Sequence, residues 1–424
     1  MDNSFEGYGN FYEGAKPPKR KGRFWIGFLT GILSALALSI FVSVIAFTLF
    51  YLYRRGDTRF IPSQTEAVDA TGTIDVEALT GEDADEKIET IAGLIEKNYY
   101  RLEDIDTEAM QEAMYEGMVS ALGDKYSTYY SPAELAQIME GTQGIYSGIG
   151  AYVSMDAKTN YPVVSGTMKD TPAEAAGLLM NDIIYEVDGF STEGMELEEV
   201  VSRIKGPEGT DVTLTIIREG QELKVEVERR KISSPTVSSE YYEDERIGYI
   251  AITEFDDVTL DQFIEAKEDL EDQGMEALII DLRGNPGGNL STVCEIARQL
   301  LPEGVIVSTR DRDGNTTEYS CDGRKRFKLP LAVLVNGYSA SASEILAGAI
   351  KDYGIGTLVG TMTYGKGVVQ QIISLSDGSA VKLTVSSYYT PNGTNINGVG
   401  IEPDEEIELD AEAYNSEEHY DSQL

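Results

Sequence analysis

Three serines alternate along the stretch NGYSASASEILAG, residues 336–348. The apolar run LAVLVN ends where this stretch begins, and a helical pattern starts at about Ser341. Backbone N–H groups at the start of a helix that follows a buried strand are unpaired and stabilise negative charge. Ser341 and Ser343 are therefore candidate nucleophiles. The alternative is structural, because Ser341 and Glu344 fit the capping box S-x-x-E, which closes a helix end without any chemistry.

A serine nucleophile needs a base, and the only histidine in the sequence is His419, near its end. Lys366 lies between Gly365 and Gly367 in TMTYGKGVVQQ. Glycines on both sides permit an unusual backbone path and the close approach of another segment. Burial lowers the pKa of a lysine, and a neutral lysine can serve as the base of a Ser–Lys pair. Lys366 is therefore the candidate base.

A third stretch, IIDLRGNPGGNL, ends an apolar strand in a glycine-rich turn at residues 284–288. The turn is not a P-loop, because no Gly-Lys-Ser/Thr follows it, and it is not a GxGxxG motif. One interpretation is an ordinary tight turn between a strand and a helix. The other is an oxyanion hole, in which the backbone N–H of Gly287 or Gly288 acts together with that of Ala342.

The stretches SASASEILAG, TYGKGVVQQ and IIDLRGNPGG together resemble the carboxy-terminal processing proteases, also called tail-specific proteases. These are serine peptidases with a Ser–Lys dyad, and the resemblance extends over about residues 83–407. It implies that Ser341 is the nucleophile, Lys366 the base and Gln370 the residue that orients the lysine. It also implies a ClpP/crotonase-like α/β core that cleaves peptide bonds near substrate C-termini through an acyl-enzyme, without a metal or other cofactor.

A second resemblance lies between the helical and catalytic regions. The segment GIGAYV resembles the carboxylate-binding loop of PDZ domains, and TPAEAAGLLMNDIIYEVDG resembles their longer signature. PDZ domains bind a free C-terminus by adding it as a strand to a sheet edge. The resemblance implies polypeptide partners with disordered C-terminal tails. The candidate peptide-binding residues are Gly148, Ile149, Gly150 and Ala151.

The spacing between Lys366 and Gln370 imposes a condition on the backbone. In a straight strand these positions lie roughly 13 Å apart, since each residue advances the chain by about 3.3 Å. The segment must bend or bulge near Gly365 and Gly367 if Gln370 is to orient Lys366. We hypothesise that capture of a substrate tail by the PDZ domain controls this bend.

The fold class predicted from these patterns is α/β, α+β overall, with an inserted PDZ domain and a single N-terminal transmembrane helix. Ile88, Ile91 and Leu94 recur at helical spacing. Met110, Met114 and Met118 also share one helical face, and such a methionine stripe is more typical of a core than of a binding surface. The predicted parts are a cytoplasmic tail (1–23), a transmembrane helix (24–53), a linker (54–82), a helical region (83–140), a PDZ domain (141–231), the protease core (232–409) and a frayed acidic tail (410–424).

The uncharged stretch at residues 24–53 carries the topology prediction. It is long enough to cross a bilayer core as a tilted helix, and it has Trp25 at one end and Tyr51 and Tyr53 at the other. Five basic residues precede it and three follow, which favours a cytoplasmic N-terminus. We therefore expect a single-pass protein of the cell membrane with an extracytoplasmic protease domain.

Composition excludes several other classes of function. The formal net charge is −39 over 424 residues, which argues against a nucleic-acid partner. With one histidine and two cysteines, Cys294 and Cys321, outside any CxxC motif, a zinc site is not expected. The family resemblance also implies a homodimer through the helical N-terminal region.

Two alternatives to a protease remain at this stage. The first is a catalytically silent PDZ receptor that only holds protein tails, against which the intact Ser341, Lys366 and Gln370 speak. The second is an amidase acting on small molecules or peptidoglycan stems, against which the PDZ signature speaks because it indicates polypeptide partners.

Overall fold

The computed structural model describes residues 74–410 and 421–424, and the chain divides into two units after Ile105. The first unit holds α1 (Val76–Thr80), α2 (Glu82–Asn98) and a 3-10 turn at Leu102–Asp104. The Asp75 carboxylate caps α1 by accepting a hydrogen bond from the Ala78 N–H at 3.1 Å. This helix lies inside the stretch that the sequence predicted as a linker.

The second unit begins at Asp106 and contains the other elements of the described chain. Its helices are α3 (Thr107–Ser120), α4 (Pro132–Gln143), α5 (Pro172–Ala175), α6 (Leu197–Ile204), α7 (Thr259–Gln273), α8 (Leu290–Ala297) and α9 (Ala342–Tyr353). Its strands are β1 (Thr128–Tyr130), β2 (Ile145–Gly148), β3 (Ala151–Met155), β4 (Pro162–Thr167), β5 (Ile183–Val187), β6 (Phe190–Ser191), β7 (Asp211–Arg218), β8 (Gln221–Glu228), β9 (Arg230–Ser233), β10 (Val237–Tyr242), β11 (Ile247–Ile252), β12 (Ala277–Asp281), β13 (Gly304–Asp311), β14 (Thr316–Cys321), β15 (Leu331–Val335), β16 (Thr357–Gly360), β17 (Val368–Ser374), β18 (Ala380–Tyr389) and β19 (Glu405–Glu406).

A small domain is inserted between α4 and β10. Its sheet has the strand order β3-β4-β5-β7-β8, with β6 added to β5, and it closes over a separate apolar core. Strands β2 and β9 pair antiparallel and form the neck through which the chain enters and leaves. At the base of this neck, the Ser234 N–H donates to the Gly144 carbonyl at 2.8 Å.

The larger core is built on a second sheet of order β10-β11-β12-β15-β16-β19. Strands β11, β12, β15 and β16 are parallel, and the apolar runs ALIID and LAVLV pack on both faces, as parallel strands require. Because β12 and β15 are neighbours, their carboxyl ends lie at the same sheet edge. This places the glycine-rich turn after β12 beside the serine-rich turn after β15, in the usual ligand position of an α/β sheet.

A third sheet also contributes to the larger core. Its order is β1-β18-β13-β14, and β17 also pairs with β18. Strand β1 precedes the small domain in sequence, whereas β17 and β18 follow it. Chain segments from both sides of the inserted domain therefore meet in this sheet.

The predicted transmembrane helix needs a correction. In the part of the chain that the structure describes, no helix combines the length and apolar character needed to cross a membrane. The predicted span at residues 24–53 lies outside the described residues. The described residues form a mixed α/β fold with a small inserted domain, and the single transmembrane helix of the predicted fold class is not supported among them.

Two smaller predictions are also wrong. Met110, Met114 and Met118 are 41%, 49% and 57% exposed, because α3 buries only Val119. The end of the acidic tail is not frayed, since residues 421–424 contact the core. There, Arg283 donates to the side chains of Asp421 at 2.8 Å and Gln423 at 2.9 Å.

Candidate active site

Ser341 occupies the N-cap position of α9 in an unusual backbone conformation with positive φ, at φ 54° and ψ −112°. A non-glycine residue at positive φ is strained by about 1–3 kcal/mol and persists only where its surroundings hold it. Its N–H donates to the Glu344 carboxylate at 2.9 Å, and its carbonyl accepts from the Tyr388 hydroxyl at 3.1 Å. The turn therefore fixes Ser341 rigidly against the cavity that it lines.

The other two serines of the cluster have structural contacts instead. Both are fully buried. The Ser339 hydroxyl donates to the Leu282 carbonyl at 2.8 Å, and the Ser343 hydroxyl donates to the Asn285 carbonyl at 3.0 Å. These bonds fasten the serine turn to the neighbouring glycine-rich turn. Of the two candidate nucleophiles, the geometry therefore favours Ser341 over Ser343.

Glu344 joins the serine turn to the lysine segment, a role that the sequence indicated only in part. Its carboxylate is completely buried and accepts four hydrogen bonds. The donors are the N–H groups of Ser341 (2.9 Å), Gly365 (2.7 Å) and Lys366 (2.9 Å) and the Thr363 hydroxyl (2.6 Å). The capping-box motif identified the first of these partners, but the other three lie about 20 residues further along the chain and left no sequence signal.

The glycine-rich turn packs directly against Ser341. Gly287 and Gly288 have φ values of 111° and 137°, which side-chain-bearing residues avoid. A Cβ atom at Gly287 would lie 2.8 Å from the Cβ of Ser341 and 3.0 Å from the Ala342 nitrogen. The Gly287 N–H donates to the Asn285 side chain at 2.8 Å. The N–H groups of Gly288 and Ala342 have no such partner among the described residues, so they are the better placed pair for an oxyanion.

Lys366 also lines the cavity that Ser341 lines. The glycines that flank it are needed because the segment at residues 397–400 packs closely against them. The Lys366 ammonium lies 5.1 Å from the centre of the Tyr126 ring. Burial lowers the pKa of Lys366, and the charges of Lys382 and Lys125 lower it further, while Tyr364 and Glu344 oppose the shift. A lowered pKa is what a lysine base requires.

Gln370 lines the cavity but does not hold Lys366 in this structure. Its side-chain amide donates to the Thr384 hydroxyl at 3.4 Å, and no hydrogen bond joins it to Lys366 among the described residues. Lys366 lies before the start of β17, and the irregularity in the strand falls between Val369 and Gln370. The irregularity therefore lies beside Gln370 and not at Gly365 and Gly367, where the bend was predicted, and no hydrogen bond joins the two side chains.

The small domain carries a groove between the edge strand β3 and helix α6. Gly148, Ile149, Gly150 and Ala151 all line this groove, which encloses about 120 Å³. Gly150 has φ 77° and packs against Thr171. Because β3 pairs only with β4, its outer edge is open for an added strand, as peptide capture requires.

Lys205 connects this groove to the larger core. It lines the groove, and its ammonium pairs with the Glu140 carboxylate of α4 at 2.8 Å. Helix α4 also contributes Ile138 and Thr142 to the cavity that contains Ser341. One helix therefore contacts both candidate sites, a link that sequence reasoning missed.

Comparison with known proteins agrees with this arrangement. The family described as Peptidase family S41 matches residues 246–407, and the PDZ domain family matches residues 163–218. The carboxy-terminal processing protease CtpB of Bacillus subtilis (strain 168) is 38% identical over 346 residues, which cover 80% of this chain and 70% of that protein. The probable CtpA-like serine protease of Staphylococcus aureus (strain COL) is 36% identical over 333 residues, which cover 78% of this chain and 66% of that protein.

Among solved structures, the photosystem II D1 C-terminal processing protease is 30% identical, with a TM-score of 0.45. That match covers 78% of this chain and 88% of the other. The chain spans 66% of the length of the staphylococcal relative. On the identity and coverage of the Bacillus subtilis relative, together with the two matched families, the chain belongs to the carboxy-terminal processing proteases, the PDZ-containing serine peptidases of family S41.

Proposed function

We propose that this chain is a serine endopeptidase that captures protein C-terminal tails with its PDZ domain and cleaves peptide bonds near those C-termini. The observation that carries the proposal is the shared cavity of Ser341 and Lys366, whose backbones are fastened to the same buried carboxylate of Glu344. The proposed substrates are polypeptides with accessible, disordered tails, because the open edge of β3 offers a place for an added strand.

The reaction follows from the chemistry of these groups. The neutral Lys366 amine takes the proton of the Ser341 hydroxyl while the serine oxygen attacks the peptide carbonyl carbon. The N–H groups of Gly288 and Ala342 stabilise the tetrahedral oxyanion. Lys366 then gives its proton to the leaving amine, the carbon–nitrogen bond breaks and an acyl-enzyme remains. Water then attacks the ester carbonyl carbon while Lys366 takes its proton. The bond to the Ser341 oxygen breaks, Lys366 returns the proton to that oxygen, and the carboxylic acid product leaves the regenerated serine.

Gln370 adds a step of alignment to this mechanism. Its contact with Thr384 must be exchanged for one with Lys366 before it can orient the base. We assign this exchange to tail capture by the PDZ domain, which the contact between Lys205 and Glu140 supports. Structures with and without a bound tail peptide test the assignment, and an unchanged separation of Lys366 and Gln370 would contradict it.

The family resemblance, together with an exposed apolar face on α2, supports a homodimer. Ile88, Ile91 and Leu94 on this helix are all exposed. Sedimentation velocity of the Ile91→Asp variant should show a loss of dimer, and the Glu89→Gln variant on the same helix is the control. A monomeric wild-type protein at micromolar concentration would refute this part of the proposal. The cell-membrane location with an extracytoplasmic protease domain stays a prediction.

The decisive experiment compares the protein with its Ser341→Ala and Lys366→Ala variants on casein, an unfolded substrate, with fragments followed by mass spectrometry. Cleavage by the wild type and by neither variant is the expected result. Cleavage that persists in either variant would contradict the assignment of Ser341 and Lys366 as a catalytic dyad. Binding of tail peptides without any cleavage of casein or of those peptides would favour the silent receptor instead.

A further inference from the structure

The charge of the catalytic cavity differs from that of the rest of the chain. The cavity encloses about 350 Å³, and its lining includes two lysines, Lys366 and Lys382, but no carboxylate side chain among the described residues. The whole sequence has 73 acidic and 34 basic residues. The positive charge of this cavity is therefore not a consequence of the acidic composition. It favours a ligand with negative charge.

Lys382 is the lysine that the proposed reaction does not use. It lies on β18 between β1 and β17, opposite Thr128 and Ile372. Its half-buried ammonium donates to the Tyr130 hydroxyl at 2.7 Å and lies 5.2 Å from the centre of the same ring. An ammonium has three donors, and the phenol satisfies one of them without neutralising the charge.

The nearby carboxylates are engaged by other donors. Glu344 accepts its four hydrogen bonds from the serine turn and the lysine segment. Asp124, which precedes β1, accepts from the Ser127 hydroxyl at 2.6 Å and the Tyr126 N–H at 3.1 Å. Within the described chain, Lys382 forms no ion pair with any acidic residue. A half-buried cation without a counter-charge favours binding of an anion.

We propose that Lys382 binds a carboxylate of the substrate segment that lies in the catalytic cavity, and that it is thereby a specificity-determining residue. The inference rests on the proposed function and names the substrate chemistry that this site prefers. Lys366 must be neutral to act as the base, so Lys382 is the cation that substrate meets in the cavity. Because an ammonium is a compact point charge, it can bind the carboxylate of an Asp or Glu side chain or that of the chain terminus.

The test uses the casein segment that the wild-type protein cleaves first, made as synthetic peptides. One set has Glu, Gln or Lys at each position flanking the cleaved bond, and each peptide is made with a C-terminal carboxylate and with a C-terminal amide. The enzymes are the wild type, Lys382→Met, Lys382→Glu and Lys125→Met. Lys125 is the matched control, because it also lowers the pKa of Lys366 but does not line the cavity.

We expect the wild type to prefer the acidic member of one peptide pair by about tenfold in kcat/KM, the usual scale for a charge-assisted contact. Lys382→Met should abolish this ratio, and Lys382→Glu should invert it in favour of Lys, whereas Lys125→Met should leave it unchanged. A preference for Glu over Gln identifies a side-chain carboxylate, and a preference for acid over amide identifies the terminal one. Each ratio compares two peptides with the same enzyme preparation. A change in the pKa of Lys366 or a loss of folded protein therefore affects both values of kcat/KM equally and cancels.

Two results would overturn the inference. Equal kcat/KM for acidic and neutral peptides in the wild type would contradict the carboxylate preference, while the cleavage itself would still support the proposed protease function. The same ratio in wild type and Lys382→Met would assign the preference to another residue. Absence of cleavage by the wild type would overturn the proposed function, and this inference with it.

Discussion

At the scale of single residues, the site depends on a few buried groups that fix the backbone around Ser341. Glu344 binds the N–H groups of Ser341 and Lys366, while Gly287 leaves room for the serine Cβ. Positioning of this kind affects the rate of an enzyme, because a misplacement of a reacting group by about 1 Å can lower the rate roughly 100-fold.

The pH dependence of cleavage should follow the protonation of Lys366. Activity rises with pH as Lys366 loses its proton, and the midpoint lies below that of an ordinary lysine because burial lowers its pKa. Lys125→Met removes a neighbouring cation, so it should raise the pKa of Lys366 and move the acidic limb of the kcat/KM profile to higher pH. Lys125→Arg keeps the charge and is the control; superimposable profiles for Lys125→Met and wild type would contradict the argument.

Replacement of Glu344 tests the junction between the two catalytic segments. Glu344→Gln keeps the shape but turns an N–H₂ group toward donors, so at least one hydrogen bond is lost. We expect kcat to fall about 100-fold and the free energy of unfolding to fall by about 1–3 kcal/mol. The matched control is Glu134→Gln in the exposed capping box of Ser131, and near-wild-type kcat for Glu344→Gln would show that Glu344 only caps the helix.

Asp256 provides a test by stability. It is 5% exposed, and burial, aided by Glu254 and Asp257, raises its pKa from 3.8 to about 7. Its folded pKa exceeds the unfolded one, so the stability linked to its proton is present at low pH and is lost as pH rises through 7. Asp256→Asn should therefore stabilise the protein by about 2 kcal/mol more at pH 8 than at pH 5. Denaturant melts measure this, with Asp261→Asn as the control; an equal gain at both pH values would contradict the assignment.

At the scale of elements, helix α4 (Pro132–Gln143) contacts Lys205 in the groove beside β3 and also lines the cavity of Ser341 and Lys366. It begins with a complete capping box at Ser131 and ends at Gly144, the base of the neck. Along its length, Ile138 and Thr142 face the catalytic cavity and Glu140 pairs with Lys205. A change at one site can therefore reach the other through a single rigid element.

The ion pair on α4 predicts competition for Lys205. A tail carboxylate in the groove and the Glu140 carboxylate would both attract this ammonium. Glu140→Gln should therefore tighten the binding of a fluorescent tail peptide about two- to fivefold, the modest scale of a partly exposed pair. Glu198→Gln on helix α6 is the control, and weaker binding by Glu140→Gln would mean that the pair supports the groove instead.

Elements with strong local patterns were predictable from the sequence. The apolar runs ALIID and LAVLV form buried parallel strands, as their composition indicated. Strand β1, in contrast, has three residues and exists only because it pairs with β18, about 250 residues away. The exposure of Met110, Met114 and Met118 was equally unpredictable, because a helical stripe does not reveal what covers it.

The candidate site also has parts that the sequence predicted and parts that it did not. Ser341 and Lys366 stand in recognisable motifs and line one cavity, whereas the Thr363 and Gly365 contacts of Glu344 depend on tertiary packing. The sequence also gave no indication of the role proposed for Lys382, for another reason. Its significance comes from the absence of an ion pair with any acidic residue in the described fold, and a sequence does not record which charges lie together.

At the scale of the whole molecule, the PDZ domain and the protease core have separate apolar centres. We expect residues 145–233 to fold in isolation, with one cooperative thermal transition by circular dichroism. The variant Leu214→Ala, at a fully buried position, should lose about 2–5 kcal/mol in this fragment. A gradual, non-cooperative melt of the fragment would show that the domain depends on the protease core.

The neck at Gly144 and Ser234 also has a consequence for the order in which the protein folds. Without a folded insert, bringing these two positions together would cost about 4 kcal/mol of chain entropy. A folded PDZ domain removes most of that cost, because β2 and β9 already hold its ends side by side. Strand β1 and helix α4 can then join β18 as if no insertion separated them. We therefore expect the folded PDZ domain to promote assembly of the protease core, and mutations that unfold it should reduce the yield of assembled active sites even when no tail is bound.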